Sequence, residues 1–445
     1  MASQPRSDPN KRGPGRAPAR DGGRERGRDG GRQGGRGGPR APSFMRRRVD
    51  ESAVRLSHPA ARGLSSGHPW VFRDSLVRVP GELAAGACVK VADEDGTLLG
   101  WALYEPEGAI ALRVVSRAEQ FAWDEAAITA RVRQAVALRE RHLDDAVRGA
   151  CRLIHGEGDG MPGIAVDRLG DYLLIFKYSR AAEAWLDTLV AVLQRELEPA
   201  GIYMQDRLRP VSAEDRRPPA FHLAGKTAPP EFEVSEDGLR FLIDVSAPVS
   251  PGLFLDLREG RRMVEGLAAG RRVLNLFSFT GAFGIRAVRG GATEVFNVDA
   301  AARSHARCRQ NLQASGLDPQ ACTPLDGDAF KHLERLRVRG ERFDLVVVDP
   351  PPFSRVGNKV FSALRNWQDL IAAIVQVVAP GGLVLAVSNA SKLPEDELLQ
   401  AIGLGAVAGH RDAVVIGECG LPPDFPVPPA FGEGRYLKAK LLRIA

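Results

Sequence analysis

The chain has 445 residues, which is enough for two or three domains with separate hydrophobic cores. Its five cysteines show no Cys-x-x-Cys spacing, so neither a disulfide framework nor a zinc cluster is predicted, and a reducing, cytoplasmic location is favoured. No apolar run approaches the roughly 20 residues of a membrane span, and no apolar core typical of a signal peptide is found.

Residues 1–48 form a basic tail that differs in composition from the rest of the chain. The tail holds 13 Arg and one Lys against four acidic residues, a net charge of +10 that leaves −4 for the remainder. Its 11 glycines and repeated Gly-Arg steps leave too little apolar surface to offset the entropy lost on folding, which predicts disorder. Flexible arginines such as Arg36, Arg46, Arg47 and Arg48 bind phosphate backbones with little sequence preference. A solubilising extension without a partner is the alternative.

Ordered structure is predicted to begin near Val49. Residues 49–118 contain short strands separated by turns, such as "CVKVADEDGTLLGWALY", and are interpreted as a small β domain. From Asp124 the apolar residues Ile128, Val132 and Val136 follow helical spacing, and further strands and a helix come after them. Residues 119–245 are therefore predicted to form an α/β linking module.

Residues 246–445 alternate strands with helices, which predicts an α/β fold with a mainly parallel sheet covered on both faces. Cys308, Cys322 and Cys419 are expected on a helix, in a loop and on a late strand of this region, respectively. Ligands of such sheets bind at the carboxyl ends of the strands. The residues that follow each predicted strand are therefore the candidates for a binding site.

Four segments at predicted strand ends carry residues suited to a nucleoside ligand. After "RVLNLF" comes the turn 278–284, whose small residues allow the backbone to approach a ligand closely. Asp299 follows the next strand and can accept hydrogen bonds from both hydroxyls of a ribose. Asp328 is placed to meet an adenine amine, and Asp349 follows "LVVV". Each acid alone is more often a helix cap, but their repetition at successive strand ends favours a ligand site.

Several longer motifs show a resemblance to a known family. They are "GHPWVF" at Gly67, "EGDGMPGIAVDRLGDYLLI" at Glu157, "GLFLDLREGRR" at Gly252, "VLNLFSFTGAFG" at Val273, "DPPPF" at Asp349 and "GEGRYLKAK" at Gly432. Over residues 52–445 the chain resembles class I S-adenosylmethionine-dependent methyltransferases. More narrowly, it is similar to large-subunit ribosomal RNA methyltransferases with an N-terminal PUA domain, whose best-known members methylate carbon 5 of cytosine.

The resemblance implies a Rossmann-like methyltransferase domain at residues 246–445, a PUA-like RNA-binding domain at residues 49–118, and S-adenosyl-L-methionine as cofactor. It places Thr280, Gly281 and Gly284 at the methionine end of the cofactor and includes Phe277 among the cofactor-binding residues. It places Asp299 at the ribose, Asp328 at the adenine, and Asp256 or Arg258 near the carboxylate. It also implies that Asp349, Pro350 and Pro351 lie beside the transferred methyl group, with Phe353 as a stacking face for a base. In the PUA-like domain, His68 and Trp70 become candidates for RNA contact.

One segment departs from the carbon-5 pattern. Methylation of carbon 5 requires a nucleophile, normally a Cys thiolate, to add to the ring first. The cytosine enzymes carry this Cys in a Ser-Cys-Ser type segment, where this chain reads Ser388-Asn389-Ala390-Ser391. The sequence thus favours non-covalent transfer to a nitrogen, with Asp349 accepting a hydrogen bond and Asn389 holding a base edge.

The expected substrate is a base of 23S ribosomal RNA or of a large-subunit precursor, and the sequence leaves the oligomeric state, including a homodimer, open. Three alternatives remain at this point. They are carbon-5 methylation of cytosine by an atypical site, methylation of a protein or small molecule, and a non-catalytic RNA-binding assembly factor.

Overall fold

The computed structural model describes residues 49, 51–208, 218–351, 353–356 and 359–445, with side chains described outside 353–356 and 359–365. The four predicted RNA-binding arginines of the tail, Arg36, Arg46, Arg47 and Arg48, lie outside the described residues. The described chain contains several separate sheets. The parts that carry them are called the N-terminal lobe (residues 51–118), the middle lobe (119–245) and the C-terminal lobe (246–445) below. No helix in the described part is long and apolar enough to cross a lipid bilayer.

The N-terminal lobe is a six-stranded sheet in the order β2–β6–β5–β4–β1–β3. Alternating residues of its strands, including Val54, Val91 and Leu112, point into one apolar core that helix α1 closes. Its elements are β1 (Val54–Leu56), α1 (His58–Ser65), β2 (Trp70–Phe72), β3 (Leu76–Arg78), β4 (Cys88–Ala92), β5 (Leu98–Tyr104) and β6 (Ile110–Ser116).

The middle lobe combines a five-stranded sheet, in the order β11–β10–β9–β8–β7, with a hairpin of β12 and β13. Its first helix begins after Asp124, whose carboxylate accepts a hydrogen bond from Ala127 N at 2.9 Å as an N-cap. Its elements are α2 (Glu125–His142), α3 (Asp145–Arg148), β7 (Ala150–His155), β8 (Ile164–Leu169), β9 (Tyr172–Lys177), α4 (Leu186–Leu197), β10 (Gly201–Asp206), β11 (Phe221–Gly225), β12 (Phe232–Glu236) and β13 (Leu239–Ile243).

The C-terminal lobe contains a seven-stranded sheet in the order β16–β15–β14–β17–β20–β22–β21. Its elements are α5 (Arg258–Leu267), β14 (Arg272–Leu276), α6 (Ala282–Arg289), β15 (Glu294–Asp299), α7 (Ala302–Ala314), β16 (Cys322–Asp326), α8 (Ala329–Val338), β17 (Phe343–Val348), β18 (Phe353–Val356), β19 (Lys359–Ser362), α9 (Ala363–Ile374), β20 (Val378–Ser388), α10 (Glu395–Ala408), β21 (Ala413–Cys419) and β22 (Lys438–Ile444).

The first five strands of this sheet in spatial order are parallel, and β22 and β21 add an antiparallel edge. On β17, Leu345 and Val347 pack with α5, α6 and α7, whereas Val346 and Val348 pack with α8, α9 and α10. The predicted α/β fold with helices on both faces is therefore confirmed. One detail differs: Cys322, expected in a loop, begins strand β16 and pairs with Val295 of β15.

The segment between β21 and β22, residues 420–437, contacts all three lobes and is called the strap below. Asp424 in the strap binds the Arg258 guanidinium at 2.8 Å, and its second oxygen accepts a hydrogen bond from Arg152 N of the middle lobe at 2.9 Å. Farther along, the Phe431 ring lies 4.5 Å from the ring of Trp70 in the N-terminal lobe. The strap therefore forms a common wall where the three lobes meet.

Candidate functional site

The turn between β14 and α6 has an unusual backbone conformation. Phe277 and Phe279 adopt positive φ angles of 59° and 47°, a left-handed conformation that costs free energy for a large side chain and is concentrated at functional sites. Gly281 has φ of 81°, and a Cβ at this position would overlap Cys308. A Cβ at Gly284 would overlap the Asn297 side chain in the same way. Glycine at both positions therefore lets α6 approach β15 and α7 closely.

The predicted cofactor residue Thr280 fixes this turn to the segment that precedes α5. Its hydroxyl donates a hydrogen bond to Gly252 O at 2.8 Å, and the side chain is buried. The first hydrogen bond of α6 runs from Ile285 N to Gly281 O. The N–H groups of Ala282 and Phe283, in the first turn, therefore have no acceptor within the helix. These N–H groups suit an anionic group at the helix N-terminus.

Asp299 ends β15 and binds the backbone of two turns. One carboxylate oxygen accepts a hydrogen bond from Phe279 N at 2.8 Å, and the other accepts one from Ala301 N at 2.9 Å. An ionised carboxylate has about four acceptor positions, so half of them remain for the two hydroxyls of a ribose. Asp299 therefore has acceptor positions left for the predicted contact with a ribose, which stays a prediction.

Asp328, two residues after β16, is the N-cap of α8. Its carboxylate accepts a hydrogen bond from Lys331 N at 3.0 Å and is partly exposed. This is the helix-cap function that an isolated acid at this position favours. The predicted contact with an adenine uses the remaining acceptor positions and stays a prediction.

Asp349 directly follows β17 and has no hydrogen-bonded partner among the described residues. Burial and the negative charge of Asp256 raise the pKa of Asp349 to about 7, while Arg261 acts in the opposite direction. Pro350 beside it is buried. Phe353 opens β18, and its side chain lies outside the described part of the structure. Asp349 is therefore a carboxyl group that changes charge near neutral pH at a strand end.

Asn389 follows β20, the neighbour of β17 in the sheet. Val348 pairs with Ala386, and this parallel register brings Asn389 beside the turn that contains Pro350 and Pro351. The side-chain Oδ1 of Asn389 is buried and has no hydrogen-bond partner among the described residues. Buried polar atoms are rarely left without a partner, which marks this oxygen as an acceptor available to a ligand.

Asp256 and Arg258, predicted near the cofactor carboxylate, face different environments. Asp256 accepts a hydrogen bond from the Tyr436 hydroxyl at 2.8 Å and lines a cavity described below. Arg258 has no exposed surface, and its guanidinium lies 2.8 Å from Asp424 and 3.4 Å from Glu236. These ion pairs give Arg258 a structural role between lobes, and a cofactor contact for it stays a prediction.

His68 and Trp70, the predicted RNA contacts of the N-terminal lobe, lie at the lobe junction. His68 Nε2 lies 3.2 Å from Glu433 of the strap. Trp70 Nε1 donates a hydrogen bond to Glu157 at 2.6 Å, and the Arg113 guanidinium lies over its ring at 5.2 Å. Trp70 thus contacts the middle lobe and His68 contacts the strap of the C-terminal lobe. RNA contact remains a prediction for both side chains.

A cavity of about 480 Å³ occupies the meeting point of the three lobes. Sequence reasoning did not identify it, because its walls come from parts of the chain that are far apart. Tyr436, for example, is in a motif that carried the family resemblance, but no signal linked it to Asp256. The cavity is lined by aromatic residues, including Trp70, Phe176, Tyr178, Phe254, Phe425 and Phe431.

The five cysteines lie away from the position after β20 that a carbon-5 enzyme uses. Burial raises the pKa of Cys88 to about 11, that of Cys151 to about 12 and that of Cys419 to about 11. Thiols with such pKa values are protonated at neutral pH and are poor nucleophiles. Cys308 and Cys322 are buried on α7 and β16. The described residues also include no group of three or more His, Cys, Asp or Glu side chains arranged to hold a metal ion.

Comparisons with known proteins identify the family and the fold of the chain. Residues 151–443 match a family model described as S-adenosylmethionine-dependent methyltransferase, and residues 54–117 match a PUA-like domain. A protein of Erwinia tasmaniensis named ribosomal RNA large subunit methyltransferase I is 32% identical over 389 residues, which cover 87% of this chain and 98% of that protein. A protein of the same name from Shewanella denitrificans is 31% identical over 392 residues, covering 88% and 99% of the two chains.

Solved structures show the same fold. A crystal structure of a protein described as a methyltransferase and complexed with SAH has a TM-score of 0.80 at 24% identity, covering 88% of this chain and 99% of that one. A structure from Streptococcus mutans, described as a SAM-dependent methyltransferase, has a TM-score of 0.77 at 24% identity, covering 88% and 100% of the two chains. At this level of identity, these structures support the fold.

Proposed function

The chain belongs to the family of S-adenosylmethionine-dependent methyltransferases, and on this basis we propose that it methylates a base of large-subunit ribosomal RNA. Relatives that match nearly their whole length carry that substrate in their name. The residues around β14 and β15 fit the cofactor. Asp299 retains acceptor positions, glycines bring α6 close, and the N-terminus of α6 presents N–H groups.

The observation that carries the proposal is the pair formed by Asp349 and Asn389 at adjacent strand ends. Asp349 has a pKa raised to about 7, and Asn389 has a buried oxygen without a described partner. A base with an amine or a ring N–H can donate hydrogen bonds to both oxygens. Such contacts would hold the base while its nitrogen faces the methyl group.

We infer that the methyl group is transferred to a nitrogen without a covalent enzyme–base adduct. When bound, S-adenosylmethionine supplies an electrophilic methyl group on a sulfonium. The lone pair of the base nitrogen forms the new N–C bond as the S–C bond breaks, and the nitrogen then loses one proton. Ionised Asp349 is placed to accept that proton or to bind the N–H that carries it. The Asn at position 389, where a carbon-5 enzyme carries its Cys, supports this route over thiolate addition.

The proposal assigns a role to each part of the chain. Residues 49–118 act as the PUA-like RNA-binding domain, residues 119–245 as the linking module, and residues 246–445 as the methyltransferase domain. The tail of residues 1–48 adds sequence-independent attraction to the phosphate backbone. We place the reaction in the cytoplasm. A homodimer is compatible with the proposal and is not needed for it, because the candidate site lies within one chain.

The proposal is tested by identifying the labelled product. Purified protein is incubated with methyl-labelled S-adenosylmethionine and large-subunit ribosomal RNA from a strain that lacks the gene. The RNA is supplied both free and in assembled or partly assembled subunits, then digested, and the labelled nucleoside is identified by mass spectrometry. RNA from the parent strain is the control, because its target is already methylated.

We expect one labelled nucleoside, methylated on nitrogen, in RNA from the deletion strain and little label in RNA from the parent strain. Labelled 5-methylcytidine would support the proposed RNA substrate but would overturn the non-covalent transfer to nitrogen. No label in any RNA, together with normal calorimetric binding of the cofactor, would overturn the proposed substrate.

A further inference from the structure

The cavity between the lobes has flat, apolar walls. The rings of Phe176 on β9 and Phe425 in the strap both line it. The Arg152 guanidinium lies 4.5 Å from the centre of the Phe425 ring and 5.7 Å from that of Phe176. Aromatic rings and stacked guanidinium planes are the surfaces on which nucleic-acid bases stack.

Two of the wall residues expose large aromatic surfaces. Tyr178 follows β9 and is 47% exposed, and Phe254 precedes α5 and is 41% exposed. Tyr178 belongs to the middle lobe and Phe254 to the C-terminal lobe, so two lobes each contribute one exposed ring. A soluble protein gains free energy by burying such rings, and here they face a cavity large enough for a small ligand.

The polar groups of the walls are largely paired with each other. Arg113 binds Glu157 at 2.8 Å, and Arg152 binds Asp167. Ion pairs of this kind leave the walls close to neutral, which suits an uncharged, planar ligand better than an anion such as a free phosphate. Asp256, oriented by the Tyr436 hydroxyl, supplies a hydrogen-bond acceptor at the wall.

The cavity also adjoins the candidate site. The Phe254 ring lies 5.3 Å from that of Phe279, which is in the strained turn that binds Asp299. Asp256 lies close enough to Asp349 for its charge to oppose ionisation of that carboxyl. A ligand stacked on Phe254 thus lies on the side of the cavity that adjoins the cofactor turn.

We propose that this cavity receives an RNA base that has left its stack, with Phe254 and Tyr178 as the stacking surfaces and Asp256 as the contact for a base N–H. The inference rests on the proposed function and names the part of the protein that holds the substrate. A base inside a helix cannot reach a buried strand end, so it must be unstacked first. The cavity gives that base an apolar pocket with Asp256 in its wall.

The test compares alanine variants of the two exposed rings with a matched control. Phe254→Ala and Tyr178→Ala remove the stacking surfaces, and Phe254→Tyr and Tyr178→Phe retain them. Phe221→Ala is the control, because Phe221 is 40% exposed on β11 and does not line the cavity. For each variant we would measure single-turnover methylation of large-subunit ribosomal RNA, cofactor affinity by calorimetry, and thermal unfolding.

We expect each alanine variant to lower kcat/KM by roughly 5- to 100-fold, the range found when a base loses one stacking partner. Cofactor affinity should stay within about twofold, and Phe221→Ala should keep normal activity. Phe254→Tyr and Tyr178→Phe, which retain a ring, should lose less activity than the alanine variants. Activity of both alanine variants within about twofold of wild type, with wild type active on RNA, would overturn the inference and leave the proposed function intact. If the wild-type protein labels no RNA, both the proposed function and this inference are overturned.

A second measurement separates stacking from a structural effect of the substitutions. The RNA fragment that contains the methylated nucleotide is prepared intact and with an abasic site at that nucleotide. If the rings stack on the base, wild type should bind the abasic RNA more weakly than the intact RNA, and this difference should be smaller in Phe254→Ala, which keeps only Tyr178 and Asp256 as contacts. Equal weakening of both RNAs by Phe254→Ala would show that the ring does not contact the base.

Discussion

The carboxyl edge of the seven-stranded sheet has two halves that differ in the hydrogen bonding of their polar side chains. In the half formed by β14, β15 and β16, Asp299 and Asp328 accept hydrogen bonds from backbone N–H groups. In the half formed by β17 and β20, the pKa of Asp349 is raised and the Asn389 oxygen has no described partner. In the first half, backbone hydrogen bonds therefore already hold the carboxylates without a ligand. In the second half, the Asp349 carboxyl and the Asn389 oxygen can instead accept hydrogen bonds from a substrate.

The largest expected effect is on the second half. Asp349→Ala should lower turnover by about 100-fold or more, the range for a positioned acid–base group, because the base loses a hydrogen-bond acceptor and the proton loses its route. Cofactor affinity should change by less than about threefold. Single-turnover methylation and calorimetry measure the two quantities, and Asp369→Ala on the exposed face of α9 is the control. A variant that loses cofactor affinity and keeps turnover at saturation would place Asp349 in the cofactor half.

Substitution in the first half should produce the opposite result. Asp299→Ala should weaken cofactor binding by about 1–3 kcal/mol, because charge-assisted hydrogen bonds to the ribose are lost and Phe279 N loses its acceptor. Asp299→Asn retains one acceptor oxygen and should lose less. Calorimetric titration with the cofactor tests this prediction. Unchanged affinity in Asp299→Ala would remove the ribose assignment.

The pH dependence of the reaction should report on the second half alone. If ionised Asp349 accepts the proton, the rate rises with pH through a midpoint near 7, the raised pKa of this group. Asp256 and Arg261 are the charged groups that act on it, with opposite signs. Asp256→Asn removes the negative charge that opposes ionisation, so the midpoint should move to lower pH, by about one unit or less. A midpoint that rises or does not move would contradict the arrangement.

The smallest effect is expected at Asp328. Asp328→Ala removes the N-cap of α8 and should lower the free energy of unfolding by about 1 kcal/mol. Cofactor affinity should fall less than in Asp299→Ala, since Asp328 is partly exposed. Thermal unfolding and calorimetry together test the prediction, with Asp328→Asn, which can still cap the helix, as the comparison. A cofactor loss as large as that of Asp299→Ala would remove the distinction between the two acids.

Much of this carboxyl edge could be predicted from sequence, because its signals are local. The run Val346, Val347 and Val348 indicates a strand covered on both faces, and all three residues are fully buried. Strands of a parallel sheet end on one side, so the residues after them are brought together whatever the loops do. Asp299 and the turn around Gly281 were found in this way.

The junction of the lobes could not be predicted, because its contacts join distant parts of the chain. His68 meets Glu433, and Tyr436 meets Asp256, across long sequence separations. Arg258 illustrates the difficulty: it neighbours a predicted site residue, but its pairing with Asp424 depends on how the strap folds. A hydrophobic pattern also cannot show that the Asn389 oxygen has no partner within the described part of the chain. Only the packing around it does.

The strap has a consequence for how the chain is made. Arg139, Arg152 and Arg258 are all synthesised before Asp424, whose side-chain and backbone oxygens bind groups on each of them. Domains generally fold in turn from the N-terminus during synthesis. These three arginines therefore have no contact with Asp424 until the strap is synthesised late in translation. The lobes can acquire their own cores early. Their alignment into one cleft becomes complete only after the strap has emerged, so an interrupted chain would hold a folded PUA-like domain without a finished place for a base.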